Sequence, residues 1–255
     1  MGVSYDENAR TGSSMGSDAK DFDNDGKVDV FYNNLRQQVW QLLRNEGALF
    51  NYLYSSNIQT LSRSHSGWSN GFIDYNNDGW KDIYSSNGDV DQVNETSPEH
   101  DTMFENVDGK TFLDVSDEMG KDFLRKGYQR GSAFGDLNND GSLDLVVTSL
   151  NDRPRILMNT ADSGNYWLML NLIGHKSASD AIGAKVKVIT ASGRTLYNHV
   201  SISTGFMSSS DKRVHFGLGQ ETRVSSIEIR WPSGIRQVLK DVAADQFLKI
   251  DEPAR

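Results

Sequence analysis

The chain has no cysteine, no long apolar run and a shortage of positive charge. The absence of cysteine excludes disulfide bonds as a source of stability. No segment approaches the roughly 20 consecutive apolar residues of a membrane-spanning helix. The 26 basic side chains are outnumbered by 35 acidic ones, and the net charge of −9 argues against nucleic acid or an anionic membrane as a partner. With 36% hydrophobic and 10% aromatic residues, the chain can still bury real cores.

Much of the acidity falls in a nine-residue pattern that occurs three times. The pattern has an oxygen-bearing side chain at positions 1, 3, 5 and 9 and a glycine at position 6, and no copy contains histidine or cysteine. The copies, named loops 1, 2 and 3, span residues 21–29, 74–82 and 136–144. They hold 10 of the 35 acidic side chains, so three bound divalent cations would bring the net charge from −9 to −3.

This spacing predicts up to three Ca²⁺ sites. Carboxylates so close together repel one another unless a cation neutralises them, and Ca²⁺ accepts about six to eight oxygen ligands in flexible geometry. The glycine permits the turn that brings the position-7 carbonyl inward. Mg²⁺ prefers a tighter octahedron, and transition metals favour His or Cys. The predicted ligands are Asp21, Asp23, Asp25, the Lys27 carbonyl and Asp29; Asp74, Asn76, Asp78, the Trp80 carbonyl and Asp82; and Asp136, Asn138, Asp140, the Ser142 carbonyl and Asp144.

Three other interpretations of the loops are weaker. Asp, Asn and Gly also dominate ordinary β-turns, but turn formation alone does not explain three copies with the same positional order. An EF-hand needs a glutamate at the twelfth loop position and flanking helices, whereas Tyr32, Ser85 and Val147 stand there. Clustered carboxylates also serve glycosidases as acid and base, but a glycine-bearing loop suits coordination better.

The segments around the loops repeat as well, which indicates a repeat protein. A short glycine-containing stretch precedes each loop, a strand-like run follows it, and each copy later reaches Asn45, Asn106 or Asn159. Successive loops begin 53 and 62 residues apart, a period typical of four-stranded propeller blades. Residues 34–43 have helical propensity, but their place in the repeat favours a strand. We therefore predict an all-β fold with about three blades over residues 1–161, a partial propeller.

Residues 162–255 have a different character and contain no such loop. Their strand-like segments alternate, as where Ile227, Ile229 and Trp231 share one face and Glu228 and Arg230 the other. Glycines and a Pro-Ser-Gly turn punctuate these segments. This region is predicted to be a β-sandwich-like module that needs no metal.

These segments resemble one family, the bacterial proteins similar to cartilage acidic protein 1. Its members join FG-GAP/VCBS calcium repeats to a C-terminal ASPIC/UnbV domain. The resemblance covers nearly the whole chain, and Ala178, Ser179 and Ser209 depart from the family pattern. It rests on residues 2–8, 14–16, 67–68 and 130–136 in the repeat region, and on 167–168, 180–184, 208–211, 215–219 and 231–234 in the module.

The resemblance implies integrin-α-like blades and an extracellular or cell-envelope location, where calcium suffices to fill such loops. Residues 1–8 are not a signal peptide, so a signal is expected upstream. Family members are longer and close a full propeller ring. The chain is therefore expected to lack N-terminal blades, or to have its ring completed by a partner chain.

For function, we expect a non-enzymatic, calcium-binding repeat protein that serves as a structural or adhesion-type binding module for a protein or glycan partner. The five histidines show neither HExxH spacing nor a partner cysteine. The alternative is a catalytic or scaffolding protein of secondary metabolism, because UnbV relatives occur in enediyne-type gene clusters. A polar pocket with converging titratable groups, away from the loops, would favour that alternative.

Overall fold

In the computed structural model, which describes residues 11–90 and 97–254, the chain is almost entirely β-sheet. Eighteen strands form five sheets, and the helix within these ranges amounts to three short turns. The predicted all-β class is confirmed. No helix in the described residues is long and apolar enough to cross a membrane. Residues 2–8, which carry part of the family resemblance, lie outside the described ranges.

The first three sheets are antiparallel meanders whose strands pair in chain order. Each loop joins the first strand of its sheet to the second. The strands are β1 (Ser17–Lys20), β2 (Asp29–Tyr32), β3 (Gln41–Asn45) and β4 (Phe50–Tyr52) in sheet 1; β5 (Gly67–Ile73), β6 (Asp82–Asn87), β7 (Thr102–Asn106) and β8 (Phe112–Asp114) in sheet 2; and β9 (Gln129–Gly135), β10 (Asp144–Ser149) and β11 (Arg155–Leu157) in sheet 3. Short helical turns follow β4, at Tyr54–Ser56 and Ile58–Leu61 (α1), and β8, at Ser116–Glu118.

Residues 34–43 are a strand only at their end. A turn occupies residues 35–38, where Gln37 takes a φ of +67° and the Gln38 amide donates to the Leu35 carbonyl. Asn34 closes this turn, since its side-chain amide donates to the Val39 carbonyl and its own carbonyl accepts the Trp40 indole N–H. The strand assignment made from the repeat therefore holds from Gln41 onward.

The three meanders stack through two hydrophobic clusters that draw on the same positions of the repeat. The cluster between sheets 1 and 2 contains Phe22, Phe31, Trp40, Leu42, Ile58, Phe72, Ile83, Phe104 and Phe112. The next contains Ile73, Tyr84, Met103, Val115, Phe123, Phe134, Leu145 and Val147. Each meander thus buries apolar side chains against its neighbour, as repeat units that cannot fold alone must do.

Seven further strands form two sheets around a third cluster. They are β12 (Tyr166–Ile173), β13 (Lys185–Thr190), β14 (Thr195–His199), β15 (Val214–Gly219), β16 (Arg223–Arg230), β17 (Arg236–Ala243) and β18 (Gln246–Asp251). Their orders are β15-β12-β18 and β14-β13-β16-β17, with β12 and β18 parallel. The cluster includes Leu168, Leu170 and Leu172 from one sheet and Ile227 and Ile229 from the other. Alternation along these strands places the apolar faces inward.

The observed arrangement differs in detail from the predicted blades and module. The chain forms five separate sheets, and the third has three strands where four were expected. After β11 the chain runs through residues 158–165 directly into β12, so no fourth strand follows. The second half is held together partly by the parallel pairing of its first and last strands.

Candidate metal centre

All three loops adopt the same local conformation. The position-1 carboxylate accepts the amides of positions 5 and 6, as at Asp21, where the distances are 3.1 and 2.7 Å. Asp74 and Asp136 make the corresponding bonds at 2.8 to 3.1 Å. The position-6 glycines have φ between +88° and +91°, a conformation that other residues rarely adopt. Position 9 of each loop is the first residue of the following strand. The pairing of that strand with the one before the loop fixes the position-9 carboxylate beside the position-1 carboxylate.

The carboxylates converge most closely in loop 1. Asp21, Asp23 and Asp29 each offer an oxygen within 4.8 Å of the others, and no other trio of acidic, His or Cys residues in the described ranges does so. Asp25 lies outside this group, because one oxygen accepts the Lys27 amide at 2.8 Å and the other pairs with the Lys27 ammonium at 3.0 Å. An oxygen-only set of this kind fits a hard cation such as Ca²⁺.

Loops 2 and 3 carry an amide at position 3, and this amide bonds to position 5. The Asn76 side chain donates to Asp78 at 3.3 Å, and Asn138 donates to Asp140 at 2.6 Å. Both amides still present an oxygen, which accepts the position-5 backbone N–H in each loop. Coordination of an ion by the remaining predicted ligands, including the position-7 carbonyls, stays a prediction.

Several carboxylates of loops 1 and 2 are costly to keep ionised. Burial raises the pKa of Asp21 to about 6 and those of Asp29 and Asp74 to about 7. Burial also raises the pKa of Asp82 well above its ordinary value. A bound cation would reverse this effect by favouring the charged form.

Arg44 and Glu105 give loops 1 and 2 different surroundings. The Arg44 guanidinium lies 2.7 Å from Asp23 and 3.5 Å from an oxygen of Asp25. Glu105 occupies the corresponding position of sheet 2 and contributes to a raised pKa of Asp78, mainly caused by burial. The third convergent carboxylate should strengthen cation binding by loop 1, and the positive charge of Arg44 offsets part of that gain.

The raised pKa of Asp29 predicts a titration near neutral pH that calcium shifts to lower pH. In chelator, the side-chain carboxyl carbon of Asp29 should titrate near pH 7, against an ordinary pKa of 3.8. Because the folded pKa exceeds the unfolded one, this group's stabilising contribution is present below about pH 4 and lost as the pH rises towards 7. In excess calcium the midpoint should fall below 3.8. Carbon-detected NMR measures both, and an unchanged midpoint would contradict coordination by Asp29.

Asparagines at position 4 connect successive loops, a role that the spacing argument missed. The Asn24 side-chain amide donates to the Gly79 carbonyl of loop 2 at 2.9 Å, and that of Asn77 donates to the Gly141 carbonyl of loop 3 at 3.4 Å. Position 4 is asparagine in all three copies and adopts a left-handed φ of 57° to 60°. That repeated identity was the available signal.

A second set of asparagines closes each repeat and, in sheets 2 and 3, also connects the sheet to the loop of the preceding repeat. The backbone amides of Asn45, Asn106 and Asn159 each donate to the position-9 carboxylate of their own repeat at 2.8 Å. The side chains of Asn106 and Asn159 also donate to the position-2 carbonyls of Phe22 and Tyr75 in the preceding loop. The loops are therefore parts of one connected network.

Comparisons with known proteins agree with this architecture. A profile described as FG-GAP-like repeat matches residues 21–85, which include loops 1 and 2, and one described as ASPIC and UnbV matches residues 174–255. Cartilage acidic protein 1 of Mus musculus is 23% identical over 240 residues, covering 91% of this chain and 35% of the relative. The chain resembles cartilage acidic protein 1.

The human protein of that name is 23% identical over 246 residues, and the Xenopus tropicalis protein 25% identical over 229 residues. These matches cover 91% and 84% of this chain, and 35% and 33% of the relatives. The chain thus spans about one third of the length of the relatives it matches. The resemblance to proteins similar to cartilage acidic protein 1 is confirmed.

The ASPIC/UnbV segment and the strand before it contact all three loops. At loop 1, the Tyr197 amide donates to the Asn24 side chain at 3.2 Å. At loop 2, the Gly217 amide donates to the Asp74 carboxylate at 3.2 Å. At loop 3, Arg213 donates to the Asn139 side-chain oxygen at 2.9 Å and to the Asp136 carbonyl at 2.7 Å. Arg213 thus binds Asn139, the position-4 asparagine of loop 3, which has no following loop to contact.

The two histidines nearest the loops are packing residues. His215 is buried, and a ring nitrogen lies 3.2 Å from the Gly141 carbonyl. Burial lowers its pKa to about 4, and burial likewise lowers that of His199 to about 3. Neither is poised to exchange protons near neutral pH.

Proposed function

We propose that the chain is a calcium-binding extracellular repeat protein whose ions rigidify stacked propeller blades, and that it serves as a binding module for a protein or glycan partner. In this interpretation the three meanders are blades and the two remaining sheets form a sandwich-like module. The observation that carries the proposal is the convergence of three buried or half-buried carboxylates in a loop whose conformation recurs twice. A bound cation would relieve their mutual repulsion and keep all three ionised.

The chain's own residues explain how an ion would act on the architecture. Position 9 begins the second strand of each sheet, while position 1 follows the first strand, so a shared ion would hold the two strands at one end. Through their hydrogen bonds, Asn24 and Asn77 would connect each ion-bound loop to the next loop. The ion itself would supply charge neutralisation and a fixed geometry, and no chemical reaction is involved.

The contacts of the C-terminal segment bear on where a partner binds. Because this segment contacts each loop through residues such as Tyr197, Gly217 and Arg213, those sides of the loops face the chain itself. We therefore place the partner elsewhere, on exposed sheet edges or faces. The extracellular location remains part of the proposal and is supported by the calcium requirement of such loops.

Opposite charge changes at loop 1 test coordination by Asp23. Asp23→Asn gives loop 1 the position-3 residue of loops 2 and 3, and we expect its calcium affinity to fall at least severalfold. Arg44→Gln removes the cation 2.7 Å from Asp23, and we expect the affinity to rise. Calorimetric titration of both variants in parallel measures the two shifts. Shifts of the same sign, or none, would mean that Asp23 does not face the ion.

A further inference from the structure

The sheet β14-β13-β16-β17 carries a row of basic residues across its outer face. Lys185 on β13 lies opposite His199 on β14 and Arg230 on β16, and Arg230 in turn lies opposite Arg236 on β17. Val186, the residue after Lys185, is buried in the hydrophobic cluster between the two sheets, so the row points away from that cluster. We call Lys185, Arg230 and Arg236 the basic row.

The chain does not neutralise the charge of the basic row. All three side chains are exposed, and none of them makes a hydrogen bond or an ion pair within residues 11–90 and 97–254. His199 is uncharged at neutral pH, because burial and the neighbouring lysines lower its pKa to about 3. Like charges that lie directly opposite each other destabilise a sheet, so the row lowers the stability of the free chain. A ligand of opposite charge would offset that loss.

The basic row lines a groove to which loop 1 also contributes. The groove has a volume of about 360 Å³, which suits a small ligand. Gly26 and Val28 of loop 1 line it, and the Tyr197 ring lies next to Gly26. Val28, Tyr197 and Val238 add apolar surface beside the charges. The groove therefore combines convergent cations with flat apolar contacts.

Two acidic side chains of the described residues also line the groove, and both have partners. Glu228 lies 3.5 Å from the Lys187 ammonium. Asp21 accepts the backbone amides of Asp25 and Gly26 at 3.1 and 2.7 Å. Together with Lys187, the basic row places four cations in the lining against two carboxylates. The groove is thus positive in a chain whose net charge is −9.

We propose that this groove binds a short anionic saccharide, whose sugar rings carry carboxylate or sulfate groups. Arg230 and Arg236 can each hold such a group through two parallel hydrogen bonds, and Lys185 adds a third positive charge. The groove crosses the face of the sheet, where the backbones of β13 and β16 are already paired on both sides. Side chains must therefore supply recognition, and strand addition by a polypeptide is not available there.

The inference rests on the proposed function as a binding module and names the class of partner. A long polyanion such as nucleic acid fits poorly, because the net charge of −9 repels it. A short saccharide meets mainly the local positive charge, since interactions beyond about 8 to 10 Å are screened at physiological salt. The groove does not require calcium in loop 1.

Calorimetric titration of the full chain with three tetrasaccharides tests the class of ligand. The probes are a galacturonic acid tetramer, which carries only carboxylates, a heparin-derived tetrasaccharide, which adds sulfates, and neutral cellotetraose. We expect saturable binding of a charged probe in chelator as well as in calcium, and no binding of cellotetraose. The tighter of the two charged probes identifies carboxylate or sulfate as the preferred group. Because binding is measured in chelator too, a failure of the loops to bind calcium would leave this result standing.

Removal of single charges locates the site. Arg230→Gln and Arg236→Gln should each weaken binding of the charged probe about tenfold, because a charged hydrogen-bond donor is lost. Lys240→Gln is the matched control, since Lys240 is exposed on the same face of β17 but does not line the groove. Its affinity should stay within about twofold of the parent chain, as expected for a screened surface charge. Without ligand, both arginine variants should be at least as stable as the parent chain, because repulsion across the strands is relieved.

Two results would overturn the proposal. One is the absence of saturable binding by either charged probe at millimolar concentration in both buffers. The other is equal weakening by all three substitutions, which would mean that the probe responds only to general charge. A tetraglutamate peptide should bind about tenfold more weakly than the saccharides, because it offers no ring to Tyr197 and the valines. Equally tight binding of the peptide, abolished by Arg230→Gln, would assign the groove to an acidic polypeptide segment instead.

Discussion

Asp29→Ala should destabilise the chain strongly in calcium and less strongly in chelator. Asp29 is fully buried, and its two oxygens accept the Phe22 amide at 3.2 Å and the Asn45 amide at 2.8 Å. Each orphaned donor costs about 1 to 3 kcal/mol, so the variant loses stability in either buffer. In calcium at a hundredfold excess over Kd, the lost site removes roughly 2.7 kcal/mol more. Denaturant unfolding in both buffers measures the difference.

Asp25→Ala removes a second predicted ligand of loop 1 that has fewer structural hydrogen bonds than Asp29. Its carboxylate bonds to the Lys27 amide and ammonium rather than to a buried strand, so the loss in chelator should be small. If Asp25 also turns towards the ion when calcium is present, its loss appears mainly in calcium. Losses at Asp29 that are equal in the two buffers would mean that this residue supports the turn alone.

Gly141→Ala should be far more damaging than Gly26→Ala, although both residues stand at position 6. Their φ values are +91° and +88°, so both variants carry backbone strain of roughly 1 to 3 kcal/mol. A Cβ at Gly26 meets Tyr197 at an ordinary 3.4 Å, whereas a Cβ at Gly141 would overlap the Trp167 indole. Overpacking adds about 1 to 3 kcal/mol at Gly141 alone. Thermal and denaturant unfolding of both variants measures the difference between their losses of stability.

A double-mutant cycle tests whether the Trp167 indole causes the larger stability loss of Gly141→Ala. In a Trp167→Ala background the overlap is removed, so Gly141→Ala should cost no more than Gly26→Ala does in the parent chain. If the excess cost persists without the indole, Trp167 does not pack on loop 3. That result would also undermine the account of how β12 contacts the loops.

The loops were predictable because their determinants are local. The position-6 glycine, the Asx side chains and the carboxylate spacing act within nine residues, and the three copies fold alike. The period of the repeat likewise favoured a strand over a helix within residues 34–43, and the strand is present from Gln41 onward. The missing fourth strand of sheet 3 was not predictable in this way, because the aromatic segment after Asn159, at Tyr166 and Trp167, begins β12 of another sheet.

Other features depend on contacts that no local pattern encodes. Strand β17 alternates between exposed and half-buried positions along its length, so its apolar signal is weak. The parallel pairing of β12 with β18 joins segments about 80 residues apart, as Leu168 and Gln246 show. The docking of Arg213 and Trp167 on loop 3 is equally non-local. Sequence spacing alone therefore identified the repeated loops but not the surface that covers them.

The central claim is that the loops bind calcium, and titration of Ca²⁺ into the chelator-treated full chain by isothermal calorimetry tests it most directly. The account predicts saturable binding at up to three sites, a higher melting temperature in calcium, and much weaker heats with Mg²⁺. The absence of calcium-dependent heat, together with an unchanged melting temperature, would contradict it.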